Sequence, residues 1–226
     1  MVTIKAEEVW KTYGANTPRQ VDAVRNVSVT VEEGTITAFG GPSGSGKTTL
    51  LSLIGLLTRP SKGMIFLGEH EVSQFSEVFR TKMRREEIGF IFQAQYLIPQ
   101  LTAVENVALP KLCTDISRAE AEDLARSKLI EVGLENRLDF RVAELSGGEL
   151  QRVSIARSLM NNPRILIADE PSSSIDEALT KEVLAMLRKM VEDEGLTVVV
   201  ASHDPIVLSW ADVLHTMHEG EIVSEK

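Results

Sequence analysis

A single cysteine, Cys113, stands among 226 residues, so no disulfide can close within the chain, which suits a reducing compartment. The expected place for such a lone thiol is a buried or half-buried apolar position. No apolar run approaches the roughly 20 residues that a membrane-spanning helix needs. The first ten residues, MVTIKAEEVW, lack the charged-then-apolar layout of a secretory signal. The chain is therefore expected to be soluble, with any membrane role arriving through a partner. Basic residues are also scarce: 24 Lys and Arg against 33 Asp and Glu leave a net charge of −9. That argues against general nucleic-acid binding, which calls for a basic excess or a basic face. The one basic strip, Lys82–Arg85, reads as a solvated helix face.

What is present suffices for one large α/β domain, or one with an inserted subdomain. Hydrophobic residues make up 43% and charged residues 25%, close to globular averages, so a packed core is expected rather than disorder. Ile4–Trp10 and Val27–Val31 alternate apolar and polar residues like half-buried strands, with a turn-rich hairpin tip at Gly14–Gln20. Thr35–Phe39 is a short apolar strand, and Thr48–Leu57 a buried helix. Gly63–Leu67 and Ile88–Phe92 read as strands flanking a polar helix at Ser76–Glu87. From Gln93 to Val142 the strands disappear. Ser117–Val132 is helical there, opened by a capping box of Ser117 and Glu120. Alternation resumes with helix Ser146–Met160, strand Arg164–Ala168, helix Asp176–Glu194 and strand Leu196–Ala201. Val213–Met217 and Ile222-Val223 form a terminal hairpin. The expected fold is α/β, with a mostly parallel core sheet, an antiparallel portion from the N-terminal strands and a helical insertion at 93–142.

Gly41-Pro42-Ser43-Gly44-Ser45-Gly46-Lys47-Thr48 matches G-x-x-x-x-G-K-[ST], between a strand and a helix. Its glycines let the backbone fold tightly and turn N–H groups toward phosphate oxygens. The helix that follows adds its positive end. Lys47 supplies a full charge for the outer phosphates, and Thr48 a hydroxyl ligand for Mg²⁺. A second group, Ile165-Leu166-Ile167-Ala168-Asp169-Glu170, is an apolar strand ending in acids at the sheet edge where α/β ligands bind. Asp169 suits an acid that holds Mg²⁺ through water, and Glu170 a base for an attacking water. The alternative, two solvent-facing acids before Pro171, is outweighed by the phosphate loop in the same chain.

The run Leu145-Ser146-Gly147-Gly148-Glu149-Leu150-Gln151-Arg152 resembles the signature motif of ABC-transporter ATPases, and the resemblance covers essentially the full length. By that resemblance Tyr13 is the aromatic that stacks on adenine. Gln93, after Gly89-Phe90-Ile91-Phe92, is the glutamine that reaches Mg²⁺ or the attacking water. Ser172-Ser173-Ser174-Ile175-Asp176 is the D-loop, and His203 the switch histidine. The implied nucleotide contacts are Tyr13, the loop from Gly41 through Thr49, Ser146, Gly147, Gly148 and Glu149 of the signature, and Asp176. Glu170, His203, Gln93 and Lys47 are the implied catalytic set, and Thr48, Gln93 and Asp169 the metal set.

In this family two domains pack head to tail, and the signature of one caps the γ-phosphate held by the other, so a homodimer binding two ATP·Mg²⁺ is implied. The segments Tyr13–Asn26 and Ile88–Pro110 are similar to those of the MacB/LolD branch. That branch implies a cytoplasmic subunit, peripheral at the inner face of the cell membrane. It further implies a MacB/FtsX-like permease partner with four spans and a large outer domain. Export or release of lipoprotein, peptide or drug is the implied task. The alternative is a switch that signals through a membrane partner to cell-wall enzymes without moving a solute. A nucleic-acid-acting ABC ATPase would call for a coiled-coil insertion, zinc-binding cysteines or a basic face. His70, His215 and His218 match no motif.

Overall fold

The computed structural model describes residues 3–173 and 175–225. Ser174, within the expected D-loop run, lies outside the described residues. In chain order the strands are β1 (Ile4–Tyr13), β2 (Val21–Val31), β3 (Ile36–Gly40), β4 (Lys62–Leu67), β5 (His70–Glu71), β6 (Ile88–Ile91), β7 (Ile165–Asp169), β8 (Thr197–Ala201), β9 (Val213–His218) and β10 (Glu221–Glu225). The α-helices are α1 (Lys47–Ile54), α2 (Glu77–Glu87), α3 (Ala103–Ala108), α4 (Arg118–Glu131), α5 (Gly147–Ser158), α6 (Glu177–Glu194) and α7 (Pro205–Trp210).

Two sheets carry the fold. One is antiparallel, in the order β2-β1-β4-β5. The other runs β10-β9-β3-β8-β7-β6 and is parallel except for the β9–β10 hairpin. On its central strands, alternate side chains enter opposite layers, as the two-residue period requires. Ile36, Ala38, Leu166, Ala168, Val198 and Val200 pack under α3, α4, α5 and α6. Phe39, Ile165, Ile167, Val199 and Ala201 pack with α1 and the antiparallel sheet. Val198–Val200 are all essentially inaccessible, which is why that strand reads as an unbroken apolar run. Each such side chain contributes roughly 1.5–3 kcal/mol of burial.

The strand–helix alternation follows the sequence reading, with four differences, one of them the short strand β5, which the sequence reading did not contain. β1 and β2 extend beyond Trp10 and before Val27. Their pairing shifts register between Ala6 and Val9 and again between Val9 and Lys11, with Glu8 and Asn26 at positive φ, so bulges break the alternation that marks a strand. α3 and α7 are additional helices. α3 opens with a capping box of Thr102 and Glu105, the same device that opens α4 at Ser117 and Glu120. α7 opens on Asp204, whose carboxylate accepts from Ile206 N, with Pro205 at its first position.

Two side chains sit elsewhere than expected. Cys113 is exposed, at the end of a 3-10 turn, where its carbonyl accepts from Arg85. Within the basic strip, Arg84 turns inward and donates to Leu56 O at 2.6 Å, sharing with Arg80 a carbonyl in the turn that follows α1.

Candidate functional site

Strand order builds the site. β8 lies between β3 and β7, and β6 flanks β7. The C-terminal ends of these four parallel strands therefore present, side by side, the glycine loop, Ser202-His203, Asp169-Glu170 and Gln93. Around them opens a cavity of about 740 Å³. Pro42 through Thr49 line its floor, Gln93, Glu170 and His203 one side, and Val21 to Ala23, Arg25, Glu219 and Gly220 the other.

The floor is a backbone that only glycine permits. Gly41 has φ 139°, and a Cβ there would lie 2.2 Å from Met217 O. Gly46 has φ 103°, and its Cβ would lie 2.3 Å from Ala23 O. The loop is thus clasped from behind by β2 and by the β9–β10 hairpin. Gly220 donates to Ser45 O at 2.9 Å and accepts from Arg25 N at 2.8 Å. Arg25 Nε donates to Glu219 O at 2.7 Å.

Within the loop, buried Lys47 folds its ammonium onto Gly41 O at 2.7 Å and Pro42 O at 3.0 Å. Ser45 Oγ is buried and has no partner among the described residues, although its residue lines the cavity. A buried hydroxyl without a partner costs about 1–3 kcal/mol, which a bound phosphate oxygen would offset.

Thr48 Oγ1 donates to Asp169 Oδ1 at 3.1 Å. Burial pushes the Asp169 carboxyl above its ordinary range; the Thr48 hydrogen bond and Lys47 pull it down, and the Glu170 charge adds to the rise. Glu170 stands at φ 50°, a left-handed conformation that strains a non-glycine residue. Its N–H is fixed to Ala201 O at 2.8 Å. Its carboxylate is held at both oxygens, by Ser202 Oγ at 3.2 Å and His203 Nδ1 at 2.9 Å. His203 is exposed, whereas the Glu170 side chain is only 12% accessible.

Asp169 lines a second, smaller cleft of about 370 Å³ with Leu57, Phe90, Phe92, Ala94 and Tyr96. Thr48 and Gln93 line both spaces.

Other sequence-predicted residues stand apart. Tyr13 lies outside the cavity lining, at the end of β1 opposite Val21, with the Lys11 ammonium 5.1 Å from its ring centre. Ser146, Gly147, Gly148 and Glu149 also lie outside it. Ser146 caps α5, its Oγ accepting from Glu149 N and its N–H donating to Glu149 Oε2 at 2.8 Å. The main-chain hydrogen bond from Ser146 and the Arg137 guanidinium hold the Glu149 carboxyl below its usual range. Gly148 packs so closely on Leu179 that a Cβ would lie 2.3 Å from its Cδ2. Asp176 caps α6, accepting from Leu179 N at 2.9 Å.

Sequence reasoning missed Ser202 as a ligand of Glu170, and missed the wall of Ala23, Arg25, Glu219 and Gly220. Ser202 directly precedes the expected His203 and was given no role. The wall had no local signal, because Arg25 and Glu219 are 194 positions apart.

A glycine loop between a strand and a helix, lining a cavity with a carboxylate oriented beside it at the edge of a parallel sheet, is the arrangement of a P-loop ATPase. The family model described as ABC transporter matches residues 24–173. A lipoprotein-releasing system ATP-binding protein LolD from Ruegeria sp. is 38% identical over 98% of both chains. The macrolide export ATP-binding/permease protein MacB of Salmonella typhimurium is 39% identical over 90% of this chain, which spans 31% of that protein. Among solved structures, the dimeric bacterial ABC transporter cassette MJ0796 superposes with a TM-score of 0.92 at 37% identity, covering 99% of this chain and 97% of that one. The same cassette in a post-hydrolysis state bound to ADP and Pi also gives 0.92, at 36% identity, over the same shares of the two chains. The chain belongs to the ABC transporter family, as an ATP-binding and ATP-hydrolysing subunit of the LolD/MacB kind.

Proposed function

We propose that two copies of this chain pack head to tail around two ATP molecules, driving a permease that releases or exports lipoprotein, peptide or drug. The observation that carries this reading is the separation of two anion-ready helix starts. α1 begins on the cavity floor, whereas the Ser146–Gly148 start of α5 is turned to a surface outside the cavity. A second copy brings its α5 start to the phosphate that the first copy's loop holds.

In this reading Lys47 and the loop amides from Gly41 to Thr48 neutralise phosphate charge. Glu170, fixed at both oxygens, takes the proton of the attacking water, and His203 orients Glu170 and meets the terminal phosphate. Asp176 sits at the interface between copies, and Tyr13 closes on the adenine at the Val21 edge. The Thr48 hydroxyl, the Asp169 carboxylate and the Gln93 amide suit Mg²⁺, a hard cation. One carboxylate and two neutral oxygens make a site that needs phosphate oxygens to complete it, as Mg²⁺ sites in nucleotide enzymes do. When bound, the ion adds charge neutralisation at the outer phosphates.

Residues 93–142 serve as the moving helical subdomain. The cleft beside Leu57, Phe92 and Tyr96 is the permease dock, and a MacB/FtsX-like partner would hold the subunit at the inner face of the membrane. Among the described residues no helix is long and apolar enough to cross a membrane. Replacing Glu170 with Gln tests the reading. The variant should bind ATP, lose hydrolysis by about 10²-fold or more, and elute as a dimer with ATP. A monomeric, fully active variant would overturn it.

A further inference from the structure

We propose that Arg157 is a positioning residue that fixes Gln93, tying the helix that starts at the signature to the segment leaving the nucleotide cavity. The proposal rests on the reading of Gln93 as part of the hydrolytic site.

Arg157 lies in the last turn of α5. Its Nη1 donates to Tyr96 O at 2.8 Å, and its Nη2 to Gln95 O. One planar guanidinium thus spans two successive carbonyls, a grip that a point-charge ammonium cannot reproduce. Burial lowers the Arg157 pKa, so the half-buried group is held against a desolvation cost. Nearer the start of the same helix, Gln151 Oε1 accepts from Gln95 Nε2 at 3.4 Å. Gln151 is itself buried, and its Nε2 has no partner among the described residues. α5 therefore meets the segment at two points.

The gripped segment is under strain. Tyr96 has φ 48° and a 71% exposed side chain. A left-handed tyrosine costs on the order of 1–2 kcal/mol and persists only where its surroundings enforce it. Arg157 holds the carbonyl of that residue. At the other end, Phe92 stacks on Phe90 at 5.5 Å and meets the Tyr96 ring edge-on at 5.5 Å. Gln93 is thus fixed between an aromatic stack and the Arg157 grip. Because it lines both the nucleotide cavity and the apolar cleft, its placement bears on each.

The lever is rigid. α5 has 12 residues, a length of about 18 Å at 1.5 Å per residue. Its first turn carries Ser146 to Gly148 and its last carries Arg157. Displacement of the first turn by a nucleotide on a second copy is delivered by Arg157 to Gln93, without passing through the sheet.

The test is a double-mutant cycle with Arg157→Lys and Gln93→Ala, read as kcat and KM for ATP, with hydrogen exchange at residues 94–97. Arg157→Lys should lower kcat roughly tenfold to a hundredfold, the scale of a lost charged hydrogen bond, with little change in KM. Added to Gln93→Ala it should cost nothing more, since it acts through Gln93. Exchange should rise at 94–97 while α5 keeps its protection. Additive losses, or loosening of all of α5 together, would overturn the proposal alone. Normal hydrolysis by Gln93→Ala would overturn both the proposal and the role of Gln93, and would leave the Glu170 test standing.

Discussion

Glu170 and His203 meet across the ends of two adjacent strands, with Oε1 and Nδ1 2.9 Å apart. A carboxylate oxygen accepts, so in this contact the imidazole N–H that donates is on Nδ1, which leaves Nε2 turned away from Glu170. β7 and β8 pair with Asp169 opposite Ala201, which sets the two residues after each strand end face to face.

His203→Ala should therefore cost more than the loss of a phosphate contact, because it also frees the proposed base. Hydrolysis should fall by about 10²–10⁴-fold with nucleotide binding retained. Ser202→Ala removes the other hold on Glu170 and should cost about tenfold, one hydrogen bond's worth. Phosphate-release rates at saturating ATP, set beside nucleotide-binding isotherms, check both. Equal effects of the two variants would assign orientation of Glu170 to neither in particular.

The composite site predicts complementation. Lys47→Ala removes the loop's charge, and Ser146→Arg obstructs the surface offered to a second copy. Each variant alone should be inactive. Mixed together, they form some pairs with one intact loop facing one intact signature, and hydrolysis should return. A mixture as inactive as its parents would remove the head-to-tail arrangement.

Asn106 is fully buried, yet it organises the loop before α3. It accepts from Ile98 N at 2.7 Å and donates to Ile98 O and Thr102 O, each at 3.0 Å. Asn106→Leu fills similar volume but leaves Ile98 N without its partner, at about 1–3 kcal/mol, whereas Ile98 O still accepts from Leu101 N and Thr102 O from Asn106 N. Chemical denaturation should show a loss of about 1–3 kcal/mol, larger than that of a typical exposed substitution.

His215 is expected to make the fold less stable in acid. It is buried against Phe39, with neither ring nitrogen hydrogen-bonded among the described residues. Burial lowers its pKa; the Glu225 carboxylate on β10, 3.9 Å away, offsets part of this. Glu7, Glu8, Glu32 and Lys5 line the same cleft. Below the ordinary value of 6.5 the unfolded chain takes up the proton first. Stability is thus fully present above 6.5 and declines as pH falls toward the lowered native value, by up to about 1.4 kcal/mol per pH unit. His215→Phe should flatten that decline in melting temperatures taken from pH 7.5 to 5.5. An unchanged slope would exclude His215 as its source.

Legibility from the sequence followed the range of the interactions. Local devices were readable: the Ser117–Glu120 capping box opens α4 as expected, and the loop at Gly41–Thr48 sits between a strand and a helix. The equivalent Thr102–Glu105 signal was present but lay in a stretch read only as a helical texture, so α3 was not separated from it. Asp204-Pro205 likewise announced α7. Strands β1 and β2 were cut short because bulges at Glu8 and Asn26 disturb their periods. The back wall of the nucleotide cavity, Arg25 with Glu219, was out of reach because no spacing rule joins residues from opposite ends of the fold.

That wall has a consequence for how the protein is made. The phosphate loop takes its clasp from Gly220 and Glu219, and the chain between Arg25 and Glu219 spans 194 positions. At the usual pace of about 5–20 residues per second, a ribosome needs on the order of 10 to 40 s to supply it. A nascent chain therefore carries the glycine loop through that interval without the frame that shapes it, and acquires a competent nucleotide cavity only once the β9–β10 hairpin has emerged and folded back.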